Sequence, residues 1–146
     1  MSSRRAEIAM SSDEVLAFLA SERVLTVATL GQDGWPHLMP LWYVVRDGEC
    51  WGWTYGKSQK VRNLERDERC TLQVEAGSEY HELRGVMIKA RAEIVRDASV
   101  IAEVGNGLSA RYGDGSPVSD RVAAKRVALR FRVESVASFD HRKLAG

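Results

Sequence analysis

The sequence predicts a mainly β fold, a small antiparallel barrel with helices at its periphery, on three observations. Most segments carry apolar residues at a period of two rather than at helical spacing. The breaks between the first of them are tight turns, Gln32-Asp33-Gly34 and Asp47-Gly48, which suit antiparallel hairpins and are too short for the crossovers of parallel strands. The chain has 146 residues, 45% hydrophobic and 28% charged, which is the size and composition of one ordinary globular domain.

The elements follow in order. Ser11 stands three residues before Glu14, a capping-box spacing, and Val15, Leu16, Phe18 and Leu19 follow at helical intervals. A helix is expected over 12–22, after a flexible N-terminus at 1–11. Arg23 to Leu30 is β-branched and apolar, a first strand. The second strand, Trp35 to Val45, is largely apolar on both faces. Pro36 and Pro40 cannot donate ladder hydrogen bonds, which suggests an edge, a bulge or a place where the sheet opens toward something else. Glu49 to Thr54 is the third strand. Lys57 to Arg66 breaks the two-residue period, lacks Gly and Pro, and can be capped by Ser58, so a short helix is expected. Cys70 to Glu75 and Leu83 to Val95 alternate as half-buried strands. Asp97 can cap a helix that carries Val100, Ile101, Val104 and Leu108 to near Tyr112, although Gly105 and Gly107 each cost it up to about 1 kcal/mol. Ser119 to Arg126 gives a helical turn or two. Val127, Leu129, Phe131 and Val133 then alternate with Ala128, Arg130, Arg132 and Glu134 in the sixth strand, and 138–146 is a polar tail. The barrel with its inserted helices spans 23–137 of a single domain, 1–146.

Charge and composition remove several classes of function. Twenty-one Lys and Arg against 20 Asp and Glu give a net charge of +1, with no global field to gather nucleic acid. Cys50 and Cys70 lack metal-ligand spacing and are too few for a disulfide scaffold, which fits reduced thiols in a cytoplasm. No stretch approaches the ~20 apolar residues of a spanning helix, and no apolar run follows the N-terminal arginines, so a cytoplasmic protein without membrane contact is expected. His37, His81 and His141 are scattered, and no metal site is expected. Asp13-Glu14 and Asp67-Glu68 lie at helix ends, where charged residues are normally solvated or capping. A chain of this size hides roughly two-thirds of its unfolded surface, which leaves little interior for both a core and a deep pocket. A partner subunit can supply the missing wall.

The informative segment runs from Thr54 to Leu64. Lys57, Lys60 and Arg62 stand at a helix start, where the dipole favours acids. One reading is a solvated surface helix balanced by Glu65, Asp67 and Glu68. The other is a phosphate held by backbone N–H groups, the Ser58 hydroxyl and the lysines, and the order of cations first and acids last favours it. Lys57 and Lys60 share a helix face, and Asn63 is next along it. Trp35, Met39, Trp42, Tyr43, Trp51, Trp53 and Tyr55 are concentrated in the two strands ahead. They fill a barrel core or form flat walls for a planar ring with a phosphate-bearing tail. An apolar outer face on the second strand also reads as a dimer interface.

Taken together, Val24 to Thr29, Gly-Gln-Asp-Gly-Trp-Pro-His (Gly31 to His37) with Pro40 and Trp42, and Gly-Lys-Ser-Gln-Lys-Val-Arg-Asn-Leu-Glu-Arg-Asp-Glu-Arg (Gly56 to Arg69) resemble the pyridoxamine 5'-phosphate oxidase-like, FMN-binding split barrels. More narrowly, they are similar to the actinobacterial flavin/deazaflavin oxidoreductases that use coenzyme F420. The ending Phe139 to Leu144 resembles that group too. The resemblance implies a six-stranded antiparallel split β-barrel homodimer with two cofactor sites at the subunit interface. By position it implies that Lys57, Ser58, Lys60 and Asn63 hold the cofactor phosphate and that Thr54 and Tyr55 line the ring. Met39, Pro40, Leu41 and Trp42 would flank the ring plane, and His141 and Arg142 would reach into the partner's site. The implied activity is hydride transfer between the deazaflavin and a conjugated small-molecule acceptor, without a protein nucleophile, with solvent, Tyr55 or His141 delivering any proton. Pro40-Leu41-Trp42-Tyr43-Val44 does not reproduce the arginine-rich strand with a leucine-leucine-lysine run of the vitamin B6 oxidases, which points away from that activity. An FMN-dependent oxidase or reductase and a non-catalytic flavin or deazaflavin binder are the alternatives.

Overall fold

The computed structural model describes residues 3–144. Its strands are β1 (Leu25–Leu30), β2 (Pro36–Leu41), β3 (Val44–Arg46), β4 (Glu49–Tyr55), β5 (Arg69–Ala76), β6 (Arg84–Val95) and β7 (Arg126–Asp140). All pair antiparallel in one seven-stranded sheet of order β2-β1-β5-β6-β7-β4-β3. The helices are α1 (Arg4–Ile8), α2 (Ser12–Ser21), α3 (Gln59–Arg66), α4 (Ala98–Tyr112) and α5 (Asp120–Ala123).

Seven strands replace the expected six because the second is broken at Trp42 and Tyr43. Its first part pairs with β1 and its second with β4, at opposite edges of the sheet. The Tyr43 backbone shows why. Its N–H donates to the Tyr112 hydroxyl (3.2 Å), and its carbonyl accepts from Arg111 Nη1 (2.6 Å) with the Tyr112 hydroxyl 2.9 Å away. Side chains of α4 thus satisfy groups that a neighbouring strand would otherwise take. Because β2 and β3 are the two edges of one sheet and only Trp42 and Tyr43 separate them in the chain, the sheet must roll for the chain to cross. No ladder joins β2 to β3, so the expected barrel is open at this seam. Gly52 of β4 lies at the crossing. A Cβ there would stand 2.8 Å from Leu41 Cδ2 and 3.2 Å from the Trp42 carbonyl oxygen, closer than a side chain fits.

Inward-facing residues, among them Leu25, Val27, Leu72, Val74, Ile88, Leu129 and Phe131, fill one core. Val15, Phe18 and Leu19 of α2 join it at one end of the roll, and Val61 and Leu64 of α3 join it at the other. The Ser11–Glu14 capping box that starts α2 forms as expected. A second, smaller core lies outside the sheet, where Ile101, Val104 and Leu108 of α4 cover Ala128, Trp51 and Trp53. Here Gly105 finds its reason, because a Cβ would stand 2.4 Å from Trp53 Cζ3. The helix accepts the glycine and gains a close approach to the indole.

Arg111 also holds the far end of α2. Its guanidinium donates to the carbonyls of Leu19 and Ala20 (both 3.1 Å) and of Glu22, which the ended helix leaves free. It lies 4.5 Å from the Tyr43 ring centroid. Tyr43 is fully buried and donates its hydroxyl to the Leu19 carbonyl (2.6 Å), and burial pushes the phenol up to about 12. Cys50 and Cys70 are free, and burial pushes both thiols up to about 12.

The ends depart from expectation. The stretch 1–11, expected to be flexible, contains α1, capped by the Ser3 side chain, while Met1 and Ser2 lie outside the described residues. The tail expected at 138–146 begins as the last residues of β7 and turns through a 3-10 segment at His141–Leu144, with residues 145 and 146 outside the described range. Among the described residues, no helix is long and apolar enough to cross a membrane.

Replacing Arg111 by Met keeps the aliphatic stem and removes every donor. A buried acceptor left unpaired costs about 1–3 kcal/mol. R111M is therefore expected to lower the unfolding free energy by about 2–4 kcal/mol in a urea titration, and a loss below about 0.5 kcal/mol would show that the strand break is held by other contacts.

Candidate functional site

From the crossing at Gly52 the two strand edges run on without partners. β2 pairs with β1 alone, and the Trp53–Tyr55 part of β4 pairs with β7 alone. These unpaired edges face one another across a cleft, and at one end α3 ties β1, the neighbour of β2, to β4. Asn63 Nδ2 donates to Thr29 Oγ1 on β1 (3.0 Å), and Lys60 Nζ donates to Thr54 Oγ1 on β4 (2.9 Å). Pro36 and Pro40 fall on an edge strand, where a missing N–H forfeits no ladder bond.

Register decides which side chains look inward. Val27 stands opposite Met39 and Thr29 opposite His37, so His37, Met39 and Leu41 share the core-facing side while Pro36, Leu38 and Pro40 turn outward. Met39 is nonetheless 43% exposed, which marks the place where the inner face opens. Trp42 leaves the sheet at the break and stacks on Tyr112, ring centroids 4.5 Å apart and planes at 4°. With Val24, Pro40, Leu41, Trp53 and Leu108 it lines an apolar cavity of about 330 Å³.

The acids that follow the cations of α3 do not pair with them in the fold. The acids expected to balance its lysines pair elsewhere, Glu65 with Arg96 (3.1 Å), Asp67 with Arg69 (2.7 Å) and Glu68 with Arg91 (3.1 Å). Among the described residues no carboxylate pairs with Lys57, Lys60, Arg62 or Arg126. The helix starts at Gln59, with the Ser58 hydroxyl accepting from Val61 N–H (3.4 Å), so Lys57 precedes the cap and is exposed. Lys60 is half-buried against a neutral hydroxyl, and burial holds its ammonium below the usual lysine range. That is a cation without a counter-charge at a helix N-terminus.

Several expected site residues are placed differently. Asn63 is fully buried, its Oδ1 accepting from Gln59 Nε2 (2.9 Å) and Arg66 Nη2 (3.3 Å), so it lies beneath the face that carries Lys60 and pins α3 to β1. Thr54 and Tyr55 are successive strand residues and face opposite ways, Thr54 inward under Lys60 and Tyr55 outward, with Arg126 4.4 Å from its ring centroid. Of the aromatic group, Tyr43 is core, Trp51 and Trp53 lie under α4, and Trp35, Trp42 and Tyr55 are exposed. His141 packs on Tyr80 and Phe139 beyond the end of β7 opposite to Arg126, the residue that pairs with Tyr55. One chain therefore does not bring Tyr55 and His141 together. Arg142 is engaged with Asp140 (2.9 Å). Thr29, Gln59 and Arg126 were not expected at the site. Thr29, a polar residue at an inward position of β1, was the detectable signal among them.

Comparison with known proteins places this geometry. The family model for pyridoxamine 5'-phosphate oxidase matches residues 11–140. A solved structure of a conserved hypothetical protein from Mycobacterium tuberculosis is 41% identical, with a TM-score of 0.91 over 99% of this chain and 94% of that one. An F420 reductase shares the fold at 23% identity and a TM-score of 0.68, over 82% of this chain and 93% of that one. An FAD-binding protein from Mesorhizobium loti does so at 20% identity and 0.71, over 89% and 94%. No curated protein matches the chain.

A half-buried ammonium without a counter-charge destabilises the fold while it is charged. Its lowered pKa means that the native state binds this proton less tightly than the unfolded chain, so the cost is present below the folded pKa and fades as pH rises toward 10.5. K60M is therefore expected to melt at the same temperature as the wild type or higher at pH 7, with the gap closing toward pH 10.5. A K60M melting temperature well below the wild type at pH 7 would contradict the uncompensated charge.

Proposed function

This chain belongs to the pyridoxamine 5'-phosphate oxidase family, and from that premise we propose that it is an oxidoreductase that uses coenzyme F420 to pass a hydride to a conjugated small-molecule acceptor. The observation that carries the reading is Lys60, a half-buried ammonium bonded to a neutral hydroxyl at the start of α3, on the cleft between β2 and β4. Such a cation fits a phosphate. Lys57, Arg62 and Arg126, also without carboxylate partners, fit the further acidic groups of a long anionic tail better than they fit a single phosphate. The fold shared with an F420 reductase supports the choice of cofactor. The FAD-binding neighbour supports FMN as the second reading, on the same phosphate site.

When bound, the deazaflavin supplies the hydride chemistry, and the protein supplies binding and position. Lys57, Ser58 and Lys60 hold the phosphate, with Thr54 orienting the Lys60 ammonium and Asn63 fixing α3 from beneath. Met39 and Leu41 on the inward side of β2, with Pro40 and Trp42 at its outer side, border the cleft with apolar surface for the ring, which a partner subunit would close to water. Tyr55 stands at the β4 wall, under Arg126, as a candidate proton donor. His141 and Arg142 reach a site through a partner subunit, and a homodimer belongs to the proposal. Its support is the exposed apolar edge at Leu38, Met39 and Trp42, on a chain with little interior to spare.

Titration of the purified protein with F420 and with FMN, followed by fluorescence, tests this. The expected result is tighter binding of F420, and a loss of about 10–100-fold in K60A, the worth of one hydrogen bond to a charged group at about 1.5–3 kcal/mol. Tight FMN binding with no response to F420 would overturn the choice of cofactor, and unchanged F420 affinity in K60A would overturn the anchor.

A further inference from the structure

His37 is a polar side chain on the wall strand β2 to which the proposed function gives no task. It is the second residue of β2, opposite Thr29, which is 1% exposed and faces the core. Its imidazole therefore lies on the inward side of the strand that forms one cleft wall. The ring is divided in its surroundings. Nδ1 is buried without a hydrogen-bond partner, whereas Nε2 is not buried and has no partner among the described residues. The neighbouring Thr29 Oγ1 accepts from Asn63 Nδ2 and makes no hydrogen bond to His37. His141 shows the contrast, with its Nδ1 2.8 Å from the Tyr80 carbonyl oxygen. A histidine kept for structure uses its ring nitrogens within the fold, and His37 uses neither.

Either neutral tautomer leaves the buried Nδ1 unpaired, as donor or as acceptor, and the tautomer with its proton on Nε2 is the one that offers an N–H away from the buried side of the ring. In that tautomer His37 presents an N–H on the inward side of β2, opposite Thr29.

We propose that His37 is a catalytic residue whose Nε2–H donates a hydrogen bond to the carbonyl oxygen of the conjugated acceptor, an inference that rests on the function proposed above. In the step it would serve, the bound deazaflavin would supply a hydride to the β-carbon of the enone. The C=C electron pair moves toward the carbonyl, and the enolate oxygen carries the charge beside Nε2–H. The α-carbon then takes a proton from water. The acceptor is reduced by two electrons and the hydride donor is oxidised by two, while His37 keeps its own proton. One such donor at a developing oxyanion is worth about 10²–10³ in kcat.

The test uses the full-length protein, H37L, and H37Q, whose amide retains a donor. H37L is expected to bind oxidised F420 within about threefold of the wild type and to reduce cyclohexenone about 100-fold more slowly in kcat, with H37Q recovering part of the loss. Without turnover, long-range 1H–15N spectra of the wild type are expected to show a protonated Nε2 that shifts when oxidised F420 and a saturated ketone are added. H37L turnover within threefold of the wild type would overturn the proposal. So would a protonated Nδ1, which decides the matter even if H37L fails to fold. A loss of F420 affinity in H37L with kcat unchanged would move the donor to a carbonyl of the cofactor ring and overturn its assignment to the acceptor. Failure of the wild type to bind F420 would overturn the proposed function at its first step, and the role of His37 with it.

Discussion

The backbone N–H and carbonyl of Tyr43 leave the sheet and are held by Tyr112 and Arg111 of α4. From that exchange of partners comes the break between β2 and β3, and from the break comes the crossing of the chain from one sheet edge to the other. The same guanidinium takes the free carbonyls at the end of α2, so the helix closing one end of the roll depends on the contact that interrupts the strand. Had residues 36–46 continued as one ladder beside β4, the edges of β2 and β4 would have been paired and no cleft would lie between them.

Electrostatics then gives the cleft its character. Exposed ion pairs contribute little stability, and those of Glu65, Asp67 and Glu68 are of that kind. Their effect is spatial. By engaging Arg96, Arg69 and Arg91 they leave the cations at the start of α3 uncompensated within a chain whose total charge is +1. Thr54 lends Lys60 a neutral partner and Asn63 fixes the helix beneath it, so the ammonium is positioned without being neutralised.

Much of this was legible in the sequence. The capping box at Ser11, the Asp97 cap and the alternation in β5, β6 and β7 are local patterns, and local physics reproduced them. The prolines of β2 signalled an edge. The break at Tyr43 was not legible, because its partners are 68 and 69 residues away and nothing in Leu41 to Val45 departs from strand patterning. Gly105 read as a helix defect until Trp53 supplied its reason. The Lys57–Lys60–Asn63 face was drawn on an isolated helix. In the fold, Thr29 draws Asn63 into the core, Lys57 falls before the cap, and Lys60 is the cation left at the cleft.

Beside the open seam of the sheet, Lys60 is a half-buried ammonium without a counter-charge, ready for an anion. Side-chain 13C and 15N NMR of Lys60 across a pH titration, with and without saturating F420, tests it most directly. The expected result is a pKa below the usual lysine value in the free protein, as burial dictates, and a clear rise once the cofactor supplies the counter-charge. An ordinary lysine value in the free protein that the cofactor leaves unmoved would contradict it.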